Sequence, residues 1–377
     1  MFTEGALYAK SKKNCKKILR SFAQRSKRRN RGGDTVKKLL NTLYVLTPES
    51  YLFCRNDNVC VQVGGEEKLA VPALTIDSIV CFGKMTVSTP LIQYCGEHGI
   101  SVTFLSEHGH FMGRFYGPVS GNVLLRKKQY EEMNDEKFCR EFVQTILYAK
   151  IRNSKLVLMR AARVCKTESG KENLQKGVTQ LNEAAKKLAL CENIDSLRGV
   201  EGAAATVYFA RFDQMIADNP NGFCFETRSR RPPRNEVNAA LSFTYMLLTR
   251  EMQSAMETVG LDPAAGYLHT LRPGRASFAL DMLEELRAPL CDRFVISLFN
   301  KGQLSQKDFD KNEDAVYLNE RGRRTLLSSW QKRKSEEILH PFLEEKIQIG
   351  MIPYAQCMLF ARVLRGDLDE YPPFVWR

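Results

Sequence analysis

Glu201 stands in the segment Leu197-Arg-Gly-Val-Glu-Gly202, four residues after Leu197, three before Ala204 and seven before Tyr208. On a helix this spacing puts a carboxylate inside an apolar stripe, where an ionised group is unfavourable unless it is paired. Gly199 and Gly202 flank it, each costing roughly 1 kcal/mol relative to alanine in a helix interior, which predicts a close approach to the backbone there. The plainer alternative is a buried Glu–Arg ion pair with glycines that let helices pack. His269 follows in Gly266-Tyr-Leu-His269. Of the five histidines, His98, His108 and His110 fall in β-patterned sequence and His340 precedes Pro341. A lone histidine on an apolar segment is ordinarily a satisfied core side chain, but this one has company. Gly274-Arg-Ala-Ser277 leads into a helix bearing Asp281, Glu284 and Glu285, and a spacing of three places Asp281 and Glu284 on one side of it. The alternative for those acids is a solvated helix edge. Taken together, Glu201, His269 and the Asp281/Glu284 pair form a mixed oxygen–nitrogen donor set suited to Mg²⁺ or Mn²⁺, with no cysteine nearby to suggest structural zinc. A divalent ion in such a set polarises phosphodiester oxygens and activates a hydroxyl.

Arginines accompany these groups. Arg228, Arg230, Arg231 and Arg234 lie on the proline-stiffened stretch Arg228-Ser-Arg-Arg-Pro-Pro-Arg234. Guanidinium groups bind phosphate in a bidentate way, so a phosphate clamp is expected there, with a solvated linker as the alternative. Arg272 and Arg275, just beyond His269, are candidates for the same role. Arg321, Arg323, Arg324 and Lys332-Arg-Lys334 look like one solvated helix face.

The elements that must position these groups follow from residue patterning. From Leu39 onward, short Val-, Ile-, Tyr- and Phe-rich runs predict strands at Leu43-Tyr-Val-Leu, Tyr51–Cys54, Val59–Val63 and Ile76–Phe82, with a hairpin turn at Arg55-Asn-Asp-Asn58. A short helix is predicted next, with Thr89 as N-cap, Pro90 at its first position and Gly99 as its stop. A second hairpin, Ser101–Leu105 and Phe111–Tyr116, is expected around Glu107-His-Gly109. Beyond Gly121 the 3.6-residue period predicts helices over Phe138–Arg163, Leu181–Leu190, Leu197–Ile216, Glu236–Val259, Ala276–Leu290 and Arg324–Ile347. The expected class is α+β: a β-strand domain with one short helix over 36–118, a candidate for dimerisation, then a larger all-α catalytic domain over 122–377.

Composition bounds the remaining choices. The chain has 56 Lys+Arg against 43 Asp+Glu, a net charge of +13, and is 44% hydrophobic, a globular composition whose charge points to an anionic partner. Eleven of the basic residues and only two acids lie in the first 35 residues, so nine of the thirteen net charges sit there. That stretch is expected to be a disordered or artefactual extension, with a nucleic-acid arm or an acid-poor transit peptide as alternatives. No apolar run approaches the ~18 residues of a membrane span, so no membrane contact is expected. No apolar stretch follows the basic N-terminus as in a secretory signal, and the eleven cysteines form no Cys-x-x-Cys pair. A cytoplasmic protein with reduced core thiols is expected. Walker-A, His-Glu-x-x-His and Gly-x-Ser-x-Gly motifs are absent.

In their order along the chain these segments resemble one family, the universal CRISPR-associated adaptation nuclease, the integrase that inserts spacers into CRISPR arrays. The likeness runs from Lys37 to Arg377. It includes Val87-Ser-Thr-Pro-Leu, Gly99–Leu105, Gly113-Arg-Phe-Tyr-Gly117, Ala149-Lys-Ile-Arg-Asn153, Leu197–Gly202 and Arg231-Pro-Pro233 with Asn238. It continues through Gly260-Leu-Asp-Pro263, Leu268-His269, Arg275, Leu280–Glu284, Arg287 and Asp292-Arg293. The ending Tyr371-Pro-Pro-Phe-Val-Trp376 looks like the type I-C branch, and the first 35 residues have no counterpart. The resemblance implies that Glu201, His269 and Glu284 are metal ligands with Asp281 an auxiliary acid; some branches have Asp at the third ligand position. It also implies a homodimer, a small ferredoxin-like adaptation partner that bridges two dimers, and DNA, both spacer precursor and CRISPR repeat, as target. The implied activity is that of a metal-dependent endonuclease and integrase working by transesterification. A nuclease of branched DNA repair intermediates and a non-catalytic basic DNA-binding scaffold are the alternatives.

Overall fold

The computed structural model describes residues 42–76, 78–106, 111–117, 123–216 and 220–376. The basic extension over 1–35, the turn at Glu107-His-Gly109, and His108 and His110 lie outside the described residues. Eight strands build two four-stranded sheets. β2 (Tyr51–Arg55), β3 (Asn58–Val63), β4 (Glu66–Pro72) and β6 (Thr86–Val87) form one, in the order β4-β3-β2-β6. β1 (Thr42–Val45), β5 (Ser78–Phe82), β7 (Ser101–Leu105) and β8 (Phe111–Phe115) form the other, in the order β1-β5-β7-β8. The expected hairpin is present: Arg55 pairs with Asn58, and Asn56 and Asp57 turn the chain at φ 48° and 58°, a conformation that short polar side chains tolerate. α1 (Thr89–His98) has its predicted stop, Gly99 at φ 69°, but its cap is Ser88, whose hydroxyl accepts from the Leu91 N–H; Thr89 is already helical. β4 and β6 escape sequence patterning: most of β4 is exposed, so it has no apolar alternation, and β6 is two residues long.

Leu52, Val59, Val61, Ile79, Cys81 and Val102 form a core between the sheets, closed by Leu91 and Cys95 of α1. Val80, Phe82 and Leu105 instead belong to the larger core of the helical part, where Phe82 stacks on Phe243 at 5.8 Å. Polar contacts fasten the same junction. Glu251 accepts hydrogen bonds from Tyr44 (3.1 Å), Trp330 (3.0 Å) and Lys334 (2.8 Å), and Arg114 pairs with Glu257.

The helical part contains α2 (Val123–Glu132), α3 (Glu136–Val164), α4 (Glu168–Leu188), α5 (Ile194–Phe209), α6 (Phe212–Met215), α7 (Glu236–Val259) and α8 (Ser277–Leu283). A π-helical turn over Arg287–Asp292 leads into α9 (Arg293–Asn300), followed by α10 (Glu320–Lys334) and α11 (Ile352–Leu364). α7 has the predicted bounds, fixed by Asn235, which accepts from the Asn238 N–H at 2.8 Å, and by Gly260 at φ 91°. Four expected helices differ. Leu181–Leu190 falls on the last part of the longer α4, which starts at Glu168 behind the Thr167 cap. Leu197–Ile216 is two helices broken at Ala210-Arg211. Ala276–Leu290 ends its α-helix at Leu283 and passes into the π turn, whose Pro289 has no N–H to donate. Arg324–Ile347 is helical only to Lys334; Glu337–Leu339 and Lys346–Gln348 then pair as a hairpin. There the His340 ring nitrogen accepts from the Phe342 and Leu343 N–H groups, and Pro341 has none to continue a helix. A further hairpin, Phe309–Asn312 with Ala315–Leu318, means that this part is predominantly rather than wholly helical. No helix among the described residues is long and apolar enough to cross a membrane.

Candidate active site

Three segments converge. α5 begins at Asn193, whose side chain accepts from the Ser196 N–H at 2.9 Å, and it buries Leu197, Ala204 and Tyr208 as their spacing requires. Glu201 therefore stands at the edge of that buried stripe. α3 passes alongside and presents Lys150 between the buried residues Ala149 and Ile151. The loop 266–270 and α8 supply the rest. A Cβ at Gly266 would lie 2.6 Å from the Ser277 Cβ and 3.0 Å from Asp281 Oδ2, so glycine permits the loop to press onto α8.

Asp281, fully buried, organises that loop. Its Oδ2 accepts the N–H groups of Tyr267 (2.6 Å) and Leu268 (2.9 Å), and its Oδ1 accepts the N–H of His269 (2.9 Å). The same Oδ1 lies 2.6 Å from His269 Nδ1. A carboxylate on Nδ1 fixes the imidazole with that nitrogen protonated, leaving Nε2 with its lone pair free; Nε2 points towards Glu284 Oε1 at 4.0 Å. Arg198 of α5 donates to the Leu268 carbonyl and ties the histidine loop to the helix of Glu201.

The carboxylates are held by cations. The Lys150 ammonium donates to Glu201 Oε1 and lies 2.5 Å from Glu284 Oε2, while Arg287 approaches Glu284 Oε1 at 3.3 Å. The partner of Glu201 is thus a lysine, in place of the arginine that the plainer sequence alternative proposes. Burial opposes ionisation of Glu284, but Arg287 and Lys150 hold its carboxyl at about 2. Burial likewise opposes the charges of Lys150 and Arg287, and Glu284 with its neighbours more than offsets it, raising both. The acids at 281, 284 and 285 are buried, not a solvated helix edge. Gly199 and Gly202 are exposed, and a Cβ at either would meet nothing within 4 Å; among the described residues no other segment approaches them, contrary to the spacing argument.

Behind this group, Asp292 accepts from Tyr208 (3.0 Å) and Tyr245 (2.6 Å), and burial pushes its carboxyl up to about 6. Lys150, Glu284, Arg287, Tyr208, Tyr245 and Arg230 line a cleft of about 500 Å³, partly open to solvent. The arginine loop divides. Arg228 turns inward, donating to Asn238 (2.8 Å) and Ser242 (3.2 Å) and lying over the Tyr245 ring at 5.3 Å. It anchors the loop and does not present its fork outward, which corrects its assignment to the clamp. Arg230, Arg231 and Arg234 are exposed, as is Arg272; Arg275 is half-buried. Residue patterning passes over Lys150, Arg198 and Arg287. A signal for Lys150 exists: it is a charged residue within the apolar stripe of α3, the same anomaly that marks Glu201.

Among the described residues, no three His, Cys, Asp or Glu side chains close on one centre, because the Lys150 ammonium stands between Glu201 and Glu284. The donor set nevertheless fits a hard divalent cation: two carboxylates, and an imidazole whose free nitrogen is fixed by a second-layer acid. The fold and this group define a β-plus-helical protein with a carboxylate–imidazole site beside a basic cleft. The chain belongs to the family of CRISPR associated protein Cas1, whose sequence pattern matches residues 43–332. It is 44% identical over 343 residues to CRISPR-associated endonuclease Cas1 1 of Chlorobaculum tepidum, covering 91% of this chain and all of the relative. Its fold is like that in a Cas6-RT-Cas1–Cas2 complex, with a TM-score of 0.76 and 21% identity over 92% of this chain and 37% of that one. It is also like a casposase bound to integration product, with a TM-score of 0.73 and 21% identity over 88% and 92% of the two chains.

Proposed function

We propose that this protein is a metal-dependent DNA endonuclease and integrase of CRISPR adaptation, of the type I-C branch, which inserts spacer DNA into the CRISPR array by transesterification. The observation that carries this is the fixing of His269 by Asp281, with Nε2 turned to a Glu284 held ionised beside Glu201. Family membership, a relative named as an endonuclease, and a fold shared with a casposase bound to integration product support it.

Glu201, His269 and Glu284 would hold Mg²⁺ or Mn²⁺, which when bound would supply Lewis-acid stabilisation of the phosphodiester oxygens. Asp281 holds the His269 tautomer, and Arg287 and Lys150 keep Glu284 ionised. Arg230, Arg231, Arg234, Arg272 and Arg275 draw DNA phosphates to the cleft, contributing affinity without sequence selection. In strand transfer, the 3′-hydroxyl oxygen of the incoming DNA bonds to phosphorus as the bridging P–O bond of the target strand breaks. The hydroxyl proton is released and the departing oxygen takes one up; water as nucleophile gives cleavage instead. A homodimer formed through the β domain and a small ferredoxin-like adaptation partner complete the proposed assembly; the likeness to a Cas1–Cas2-containing complex supports the second.

Glu201→Ala, His269→Ala and Glu284→Ala should each abolish strand transfer into a repeat-bearing plasmid while DNA binding survives. Full metal-dependent activity in His269→Ala would overturn the site. Cleavage of branched DNA with no strand transfer would make the protein a repair nuclease, and the absence of Mn²⁺ binding by calorimetry would make it a scaffold.

A further inference from the structure

Glu285, immediately after Glu284, faces away from the cations and into a second buried network. Its Oε1 accepts from the Tyr371 hydroxyl at 2.6 Å and from Gln356 Nε2 at 2.8 Å, and its Oε2 accepts the Phe374 N–H at 2.9 Å. Gln356 also donates to the Tyr371 oxygen and the Pro372 carbonyl, and its own oxygen lies 3.0 Å from His340 Nε2. Asn153 completes the network from α3. Its Nδ2 donates to the carbonyls of Glu285 (2.7 Å) and Phe374 (2.8 Å), and its Oδ1 accepts the Trp376 N–H at 2.9 Å. Asn153, Glu285, His340, Gln356 and Phe374 are all essentially inaccessible to solvent. The indole of Trp376 then takes guanidinium groups from three helices, Arg293 at 4.7 Å, Arg333 at 5.8 Å and Arg160 at 5.9 Å from its ring centre.

Apolar packing could bury the same volume without directional demands. A fully satisfied polar network holds its members at fixed separations, which is the use this one serves. The two residues it joins are neighbours of the site: Asn153 lies one turn beyond Lys150 on α3, and Glu285 follows Glu284. We infer that segment Tyr371–Trp376 is a positioning strap, which through Asn153, Glu285 and Gln356 sets the crossing of α3 over residues 284–287. It thereby sets the separation of Lys150 from Glu284. None of these groups touches the reacting atoms; they act through the two that form the site. The inference rests on the phosphodiester-transfer function proposed above.

The test uses full-length Tyr371→Phe, Trp376→Ala and Trp376→Phe. Strand-transfer kcat and KM for DNA are measured at saturating Mn²⁺, with hydrogen exchange and melting temperature read alongside. Tyr371→Phe keeps the ring and removes one hydroxyl, so it should fold. Its kcat should fall roughly tenfold, as for removal of a group that orients a ligand, with KM for DNA within about twofold. Exchange should rise over residues 147–154 and 281–288 and stay unchanged in the β domain. Trp376→Phe, which keeps an aromatic face for the three arginines, should recover most of the kcat that Trp376→Ala loses. A lower melting temperature with kcat and exchange at 281–288 both unchanged would reduce the network to ordinary packing and overturn the inference. If the unmodified protein transfers no strands, the proposed function fails, and the exchange result alone decides the strap.

Discussion

Glu284 and Glu285 are adjacent, both buried, and held in opposite ways. Glu284 meets two cations, Lys150 and Arg287, which hold its carboxyl at about 2 despite burial. Glu285 meets only neutral donors, the hydroxyl of Tyr371, the amide of Gln356 and the N–H of Phe374, and burial pushes it up to about 7. Residue type and position in the chain barely distinguish them; the partners brought by other elements decide which is a permanent anion. The Lys150 side is a charged site that opens on a cleft. The Tyr371 side is a closed network suited to holding geometry. Chemistry and positioning thus lie back to back on one turn of chain.

The largest break in this contrast should come from Glu284→Gln, which keeps the shape and removes the charge. Strand transfer should fall by about a hundred- to a thousandfold, the scale of losing an electrostatic group at a reacting centre, with DNA binding retained in a gel-shift assay. Glu285→Ala should act first on stability. It strands the Tyr371 O–H and the Phe374 N–H, each worth about 1–3 kcal/mol when left unsatisfied, while the Gln356 amide keeps Tyr371 and Pro372 as acceptors. Unfolding in urea should therefore show a loss of at least about 2 kcal/mol.

Asp292 sharpens the comparison, since it too is buried among neutral hydroxyls. Its pKa rises on folding from 3.8 to about 6, so the folded state binds the extra proton between those values. Stability from this group is greatest below pH 3.8, declines as pH rises to about 6 and is flat above, a change on the order of 3 kcal/mol at most. Asp292→Asn should remove that slope from urea midpoints measured between pH 4 and 7; an unchanged slope would assign it elsewhere. The smallest effects should separate the arginines. Arg231→Ala should weaken DNA binding uniformly across sequences and reduce the salt slope by about one, whereas Arg228→Ala should lower stability by about 1 kcal/mol and leave the slope alone.

Much of this was legible beforehand where a local rule acts alone. The Asn56-Asp57 hairpin, the Gly99 stop and both ends of α7 follow from caps and turns whose partners lie within a few residues. Residue patterning failed where a local feature cut across the period: Pro289 with no N–H in the π turn, Pro341 and the His340 ring nitrogen after Lys334, and β4, whose exposure leaves it without apolar alternation although it pairs with β3 across a tight turn. Arg228 misled for a different reason, because an arginine-rich loop looks alike whether its forks face solvent or Asn238.

The sequence by itself determined the types of group available: Glu201 in an apolar stripe, His269, the Asp281/Glu284 spacing, and the ordered motifs that mark the family. Tertiary structure decided their states. Lys150 comes 51 residues before Glu201, and Tyr371 86 residues after Glu285. No local pattern encodes such pairings, yet over a few ångströms in a buried setting they decide whether a carboxyl is charged or neutral.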